Sequence, residues 1–295
     1  MLTSLQQIKT TSHSKRNGTY IIDTENTAEL ARLLHHGQLA TQAMGGPLPE
    51  LADVSGLQDV LDVACGPGGW ALELAETHRH LRVVGIDISQ RMIEFARTLA
   101  ATQQLTNVSF QVMDALQPLA FKDESFDLIN ARFISTFMPA RSWPAFLQEC
   151  MRICRPGGII RLTEADLPIC NKPACEELCL LLALGLTRAG YTFSETRHHF
   201  DVLPMLERLL RDAGCVSIQM RACAESISAG TSRYEDWYQN GLVSLKLLEP
   251  FYLQVVGLSR ETFNRLYEQA RAEAADESFC GLQFFLTVWG YKPRS

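Results

Sequence analysis

The stretch that decides the fold is Val60-Leu61-Asp62-Val63-Ala64-Cys65-Gly66-Pro67-Gly68-Gly69-Trp70-Ala71-Leu72. A β-branched apolar run leads into a glycine-rich turn, and the turn opens a segment in which Leu72 and Ala75 share one helical face. Because the glycines carry no Cβ, the backbone can take a positive φ there and an extended ligand can lie against it. The pattern predicts a strand, a tight loop and a helix start that together seat a nucleotide-like cofactor.

The six residues from Gly66 to Ala71 also satisfy the dinucleotide fingerprint G-x-G-x-x-G/A, so a nicotinamide-dependent oxidoreductase is an open alternative. Asp62, an acidic residue inside the predicted strand, favours a family of enzymes other than these oxidoreductases. The stretch from Leu61 to Gly69 resembles motif I of the class I S-adenosylmethionine (SAM) dependent methyltransferases, in which the acid and the glycines surround the methionine half of the cofactor. The resemblance implies that the cofactor contacts here are Asp62, Ala64, Cys65, Gly66 and Gly68.

An acidic residue stands at the end of the next predicted strand, and another directly follows the strand after that. The strand from Leu81 to Asp87 places an acid 18 residues after Gly69, where it can accept hydrogen bonds from both ribose hydroxyls. Ser89 then caps a helix, and the family packs a side chain beside the adenine here, which implies roles for Ile88 and Met92. Core packing is the alternative for Met92.

A third strand, from Val108 to Met113, precedes Asp114 and Ala115. In the family an acid at this point contacts the exocyclic amine of adenine, and a surface aspartate in a turn is the alternative. The segment 125–133 resembles the family's fourth-strand motif, whose end borders the methyl-transfer site, so Asn130 and Arg132 are further candidates. Asp127 is expected to be structural.

The order of predicted helices and strands after residue 142 also resembles that family. A helix over 142–154, the turn Arg155-Pro156-Gly157-Gly158 and a strand over 159–163 resemble its post-catalytic segment. A helix over 203–213 precedes strands over 215–221 and 283–290, the last expected to be antiparallel. The prediction is an α/β fold with a doubly wound, seven-stranded, mostly parallel sheet, the Rossmann-like methyltransferase fold with helical cap insertions. The resemblance is to the small-molecule methyltransferases of the ubiquinone/menaquinone-biosynthesis type.

The predicted domain organisation is an interrupted core with a cap. Residues 1–18 are expected to be a disordered tail, 19–56 an N-terminal cap, and 165–200 and 224–279 helical insertions that form the acceptor pocket. The SAM-binding core then comprises residues 57–164, 201–223 and 280–295.

The N-terminal helix is expected to begin at Asn26, with Glu29 as a capping-box partner. Helices of this kind cover the cofactor in the family, which makes Tyr20 and Gln38 candidate lid contacts, although a plain packing helix is the alternative. His198 and His199 precede the sixth-strand unit and are candidate general bases, needed only if the acceptor keeps its proton at working pH. Surface or helix-capping histidines are the alternative for that pair.

The charge, apolar stretches and cysteines of the sequence limit which binding partners are expected. The formal net charge is −6 and no dense Lys/Arg run is present, which argues against nucleic acid. No apolar stretch approaches the ~20 residues of a membrane span, and residues 1–17 lack the apolar core of a secretory signal. Nine cysteines without a C-x-x-C pair indicate free thiols in the cytoplasm. Cys170, Cys175 and Cys179 lie close together, yet no paired ligand spacing completes a metal site, and no metal is expected.

The resulting function prediction is methyl transfer from SAM, leaving S-adenosylhomocysteine, to a small and largely apolar molecule by O-, N- or C-methylation in secondary metabolism or quinone-like biosynthesis. A non-catalytic SAM-binding regulator is a further alternative, and a monomer or homodimer is expected. The acceptor pocket is predicted from apolar residues of the two insertions: Leu178, Leu182, Tyr191, Phe193, Trp237, Tyr238, Phe251 and Tyr252. The sequence names neither the acceptor nor the atom that is methylated.

Overall fold

The computed structural model describes residues 20–22, 26–193 and 201–294. Helices and strands alternate through most of the first half, which is the pattern of βαβ units, but no helix separates the strands at 108–112 and 126–132. The strands are β1 Asp59–Val63, β2 Arg82–Asp87, β3 Val108–Val112, β4 Phe126–Arg132, β5 Cys154–Ala165, β6 Ile169–Cys170, β7 Val216–Ser226 and β8 Gly281–Tyr291. The helices are α1 Thr27–Met44, α2 Gly69–Thr77, α3 Gln90–Thr102, α4 Trp143–Ile153, α5 Pro173–Ala189, α6 Leu206–Asp212, α7 Tyr234–Leu247, α8 Glu249–Phe251 and α9 Arg260–Ala274. Short 3-10 turns cover Ala140–Ser142 and Leu203–Met205, and a π-helix covers Tyr252–Val256.

One sheet holds every strand, in the order β3-β2-β1-β4-β5-β8-β6, with β7 paired to the other edge of β8. The first five strands are parallel, and β8 runs antiparallel to β5, β6 and β7. The predicted fold class is therefore confirmed, with the last strand inserted antiparallel as expected. The two-residue β6 is an addition to the seven predicted strands.

Two apolar clusters bury the faces of this sheet. One packs α4 and α6 on the face that includes Leu61 and Ile129, and the other packs α2 and α3 on the face that includes Val60 and Leu128. Alternate residues of one strand thus serve opposite layers, since side chains of a strand alternate in direction. Asp127 has the structural role expected of it: its Oδ2 accepts from the backbone N–H groups of Gln58 and Asp59, at 2.9 and 2.8 Å.

We call α5, α7, α8, the π-helix and α9 the cap; they lie within the two predicted insertions and contribute to a third apolar cluster. Leu178 and Leu186 of α5 pack with Tyr252 and with Phe263 of α9, and all four are nearly inaccessible to solvent. The Tyr252 hydroxyl donates to the Leu178 carbonyl at 2.8 Å. The π-helix and α9 therefore pack directly against α5. Among the described residues, no helix has both the length and the apolar character that crossing a membrane demands.

Several element boundaries differ from the prediction. β7 extends to Ser226, three residues beyond the predicted core boundary at 223, because its far end pairs with β8 as far as Leu282. β5 likewise starts at Cys154 and includes the Arg-Pro-Gly-Gly turn. Of the expected N-terminal cap helices, the described residues contain one, α1.

Candidate functional site

A cavity of about 560 Å³ opens at the carboxyl ends of the parallel strands. In open α/β sheets ligands bind at this edge, since the loops that follow the strands converge there. Its floor is formed by the residues after β1, β2, β3, β4 and β5, and its walls come from α1, α5 and α7. The core and the cap therefore line one shared cavity.

The glycine-rich loop follows β1. The Cys65 N–H donates to the Ile86 carbonyl of β2 at 2.8 Å, which fixes the loop against the neighbouring strand. Ala64, Cys65 and Gly66 line the cavity as predicted, but Gly68 does not. Gly68 has a φ of +85°, and a Cβ there would lie 2.9 Å from the Phe110 ring and from the Ala96 Cβ. This glycine allows α2, α3 and β3 to pack closely, and its expected role as a cofactor contact stays a prediction.

Two residues after strand ends carry backbone strain. Ala64 follows β1 with a φ of 55°, and Phe133 follows β4 with a φ of 58°. The left-handed region costs a residue with a Cβ about 1–2 kcal/mol. Both residues line the cavity, so the strain lies where the two strands turn away from it. Strain of this kind concentrates at ligand sites, where the surrounding structure maintains it.

Asp87 connects the loop to the next helix. One carboxylate oxygen accepts from the Gly66 N–H and the other from the Ser89 N–H, both at 2.9 Å. Burial raises the pKa of Asp87, and these backbone donors oppose that effect. Its neighbours Ile88 and Met92 also line the cavity, and Met92 is 1% exposed, so it serves the core as well. Asp87 thus presents a carboxylate to the cavity while it holds the loop in place.

Asp114 and Ala115, which follow β3, both line the cavity. The Asp114 Oδ1 accepts from the Leu116 N–H at 2.9 Å, so this aspartate also forms the turn that was the alternative. The two interpretations are compatible, since a carboxylate has a second oxygen.

Asp62, Asn130 and Arg132 form the part of the site nearest the middle of the sheet. Asp62 and Arg132 line the cavity, whereas Asn130 lies behind them, fully buried. Asn130 does not line the cavity, since its Nδ2 donates to Asp62 Oδ1 at 2.7 Å, and the expectation that it contacts the cofactor stays a prediction. Burial raises the pKa of Asp62 to about 6, against the opposing charge of Arg132. Burial lowers the pKa of Arg132 to about 10, which leaves it charged at neutral pH.

Tyr20 reaches the cavity from the N-terminal segment. Its hydroxyl donates to Glu29 Oε1 at 2.6 Å, and Arg32 donates to the other oxygen of Glu29 at 2.7 Å. Burial and the Glu29 charge raise the pKa of Tyr20, so the phenol stays protonated. The carboxylate of Glu29 is buried in this cluster rather than placed as the expected capping-box partner, while Asn26 does cap α1 by accepting from the Ala28 N–H. Gln38, the other expected lid residue, is exposed and is not part of the cavity lining.

The lining includes titratable residues that were not predicted, among them Glu164, His36 and Asp166. Glu164, near the end of β5, is 1% exposed and accepts from the Ile134 N–H at 2.7 Å and the Ser135 hydroxyl at 2.8 Å. Burial raises its pKa to about 8. His36 of α1 faces the same cavity, and burial together with the charge of Arg32 lowers its pKa to about 3, so its ring is neutral. Asp166 follows β5 and completes this group.

The cap supplies an apolar wall, and half of the residues expected there line it. Leu182, Trp237, Tyr238 and Tyr252 face the cavity. The other four, Leu178, Tyr191, Phe193 and Phe251, belong to the packed clusters around it. His198 and His199 fall within 194–200, outside the described residues, and so stay untested predictions. Among the described residues, no group of three or more His, Cys, Asp or Glu side chains is arranged to hold a metal ion.

Comparisons with known proteins agree with this geometry. Residues 60–158, from β1 to the turn within β5, match the family described as a methyltransferase domain. Demethylmenaquinone methyltransferase of Staphylococcus saprophyticus is 26% identical over 57% of this chain and 75% of its own length. The O-methyltransferase resE of Aspergillus sclerotiorum is 35% identical over 60% of this chain and 62% of its own length. The chain thus spans less than two thirds of the second relative.

Solved structures show the same fold. Phosphoethanolamine N-methyltransferase 2 of Haemonchus contortus, in complex with phosphomonomethylethanolamine and S-adenosylhomocysteine, superposes with a TM-score of 0.54 at 17% identity, over 90% of this chain and 57% of its own. The YcgJ protein of Bacillus subtilis superposes with a TM-score of 0.54 at 19% identity, over 88% of this chain and 100% of its own. Together with the glycine-rich loop and the acids after β2 and β3, the matched domain and the curated relatives support the class I superfamily of methyltransferases that use S-adenosylmethionine, and the solved structures show the same fold.

Proposed function

We propose that this chain methylates a small, largely apolar molecule that is enclosed between the strand ends and the cap. The observation that carries the proposal is the continuity of the cavity from Asp87 and Asp114 to Trp237 and Tyr252. A volume of about 560 Å³ lies within the range of small-molecule sites, and an apolar wall with few polar groups is typical of them.

The cofactor half is assigned to the strand ends. We assign the ribose to Asp87, the adenine to the space beside Ile88, Met92, Asp114 and Ala115, and the methionine half to Asp62, Ala64, Cys65, Gly66 and Arg132. Asp62 suits an ammonium group and Arg132 a carboxylate, because the two side chains lie in a low-dielectric site where opposite charges attract strongly. When bound, S-adenosylmethionine supplies a methyl group on a sulfonium, and S-adenosylhomocysteine remains after transfer.

The chain itself contributes enclosure and alignment. Tyr20, held by Glu29 and Arg32, closes the cavity on the N-terminal side, and the rings of Phe133 and Trp237 flank His36, at centroid distances of 5.1 and 5.8 Å. These groups exclude water from the space where the acceptor would lie. Fixing two reactants in this way lowers the barrier by removing their translational freedom in advance.

The acceptor side is assigned to the two insertions, residues 165–200 and 224–279. The first insertion cannot shield the cavity alone. Its helix α5 faces the cavity with one side only and packs its other side against Tyr252 and Phe263. Both insertions are therefore needed to form the wall. A monomer or homodimer in the cytoplasm, without nucleic-acid or membrane partners, completes the proposal.

The test is an incubation of the purified chain with methyl-labelled S-adenosylmethionine and the separated RNA, DNA, protein and small-molecule fractions of the host. Label is expected in the small-molecule fraction, and the Asp87→Ala variant, with its weakened cofactor affinity, serves as the matched control and should transfer less label. Label found only in macromolecules would refute the acceptor class. Binding of the cofactor with no label in any fraction would instead support the regulator.

A further inference from the structure

A row of polar side chains crosses the middle of the sheet behind the cavity. Asp62 of β1 is in register with Asn130 of β4, and Asn130 is in register with Arg161 of β5. Register partners on adjacent strands point to the same face, so the three side chains meet. Their exposures are 4%, 0% and 1%, so all three side chains are buried.

The chemistry of Arg161 fixes the orientation of Asn130. Arg161 Nη1 donates to Asn130 Oδ1 at 2.7 Å, and a guanidinium has no acceptor, so the amide oxygen must face it. The amide nitrogen then necessarily faces Asp62, to which it donates at 2.7 Å. Asp62 thus receives one donor from inside the sheet, and its second oxygen is left for the cavity.

Glu50 holds Arg161 from the other side. Its carboxylate accepts from Arg161 Nε, and also from Nη2 at 3.4 Å, and the side chains of both residues are 1% exposed. The Trp70 ring covers the pair, with its centroid 6.0 Å from the Arg161 Cζ and its Nε1 donating to the Pro47 carbonyl at 2.9 Å. A buried ion pair adds little net stability compared with apolar residues of the same size, so packing alone does not explain this one.

We propose that Arg161, held by Glu50, is a positioning residue for the cofactor: through Asn130 it keeps the Asp62 carboxylate ionised and aimed at the ammonium group of the methionine half. The proposal rests on the assignment of the methionine half to Asp62. Neither Arg161 nor Glu50 lines the cavity, so neither touches the cofactor directly.

The electrostatics around Asp62 set the expected pH dependence. Burial raises its pKa to about 6, the charges of Arg132 and Arg161 and the Asn130 hydrogen bond oppose the rise, and the charge of Asp87 adds to it. Cys65 also faces Asp62, and burial holds its thiol protonated by raising its pKa. Because an ionised Asp62 attracts the ammonium group, the affinity for S-adenosylmethionine should fall as the pH drops through the pKa of Asp62. Loss of the Arg161 charge and of the fixed donor would move that fall to higher pH.

The experiment measures the dissociation constant of S-adenosylmethionine by calorimetry between about pH 5 and about pH 8, where Asp62 titrates. The variant Glu50→Gln with Arg161→Met removes both buried charges together. We expect about tenfold weaker binding at neutral pH, from the weakened hydrogen bond to a charged group, and a midpoint shifted upward. Asn130→Ala leaves the ion pair intact, provides a second variant if the first does not fold, and should shift the midpoint in the same direction.

Two controls separate positioning from stability. Arg155 bridges Asp59 and Asp127 at the opposite end of β1 and β4, so Arg155→Met should lower the melting temperature without moving the pH midpoint. In an Asp62→Asn background, the Glu50→Gln and Arg161→Met pair should weaken binding far less than in the wild type, because the network acts through Asp62. An equal loss in both backgrounds, or an unshifted midpoint in a folded variant, would overturn the proposal. Failure of the wild-type chain to bind S-adenosylmethionine would refute the cofactor site itself.

Discussion

Replacing Glu164 by glutamine should stabilise the protein, and the gain should grow with pH. The folded state holds the pKa of this carboxyl at about 8, against 4.5 for a solvated glutamate, because burial disfavours the charged form. Between these two pH values the folded protein keeps a proton that the unfolded chain releases. Stability therefore falls by about 1.4 kcal/mol for each pH unit across the window, or about 3 kcal/mol by pH 7.

A glutamine at position 164 retains the hydrogen bonds and does not titrate. Its oxygen can accept from the Ile134 N–H, and its amide nitrogen can donate to the Ser135 hydroxyl. The free energy of unfolding, measured in urea at about pH 5 and about pH 7, should differ little between variant and wild type at the lower pH and favour the variant by about 3 kcal/mol at the higher.

Glu149 provides a control with the opposite sign. Hydrogen bonds from Arg152, at 2.5 and 3.0 Å, lower the pKa of Glu149, so its ionised form stabilises the fold above the pKa of the unfolded chain. Glu149→Gln should therefore destabilise the protein at neutral pH, and the loss should shrink as the pH falls. A Glu164→Gln variant that is less stable than the wild type at pH 7, or whose gain is the same at both pH values, would show that Glu164 is ionised and compensated in the fold.

Three further predictions concern other parts of the molecule. Asp87→Ala should weaken S-adenosylmethionine binding by about 1.5–3 kcal/mol, read by calorimetry, because a charged hydrogen-bond acceptor is lost, and unchanged affinity in a folded variant would remove Asp87 from the site. Gly85→Ala should lower the melting temperature by the equivalent of about 1–3 kcal/mol, since a Cβ there would lie 2.6 Å from the Phe110 ring, whereas Gly241→Ala in α7 has open space and should raise it. Tyr252→Phe should cost about 1 kcal/mol of unfolding free energy by removing the buried hydrogen bond to α5, and a neutral result in denaturant would argue that water replaces the hydroxyl.

Sequence patterns predict the core of this fold because its signals are local. A few neighbouring residues are enough to predict the strand before the glycine-rich loop, the acid that ends β2 and the helix cap at Ser89. The structure has all three features at the predicted places. The lining of the cavity by Asp87 and Asp114 follows from the same rule, because successive parallel strands end at one edge.

The unpredicted part of the site depends on contacts between distant segments. Glu164 is an acid in a strand with no distinctive spacing, and its burial arises only when the loop after β4 folds over it. His36 is one of several α1 residues, and its cavity-facing position is set by packing against Phe133 and Trp237, about 100 and 200 residues away. The packing role of Gly68 is hidden from the sequence for the same reason, since the ring that it accommodates belongs to β3.

The position of β8 between β5 and β7 in the sheet has a consequence for how the chain folds during synthesis. β8 joins β5 and β6 along one edge and β7 along the other, so β7 has no partner in the described sheet until residues 281–291 arrive. During synthesis the parallel half from β1 to β5 can assemble first, while two unpaired strand edges wait for the same late segment. Such edges pair readily with other chains, so we expect a nascent molecule to be open to aggregation in the interval before β8 inserts.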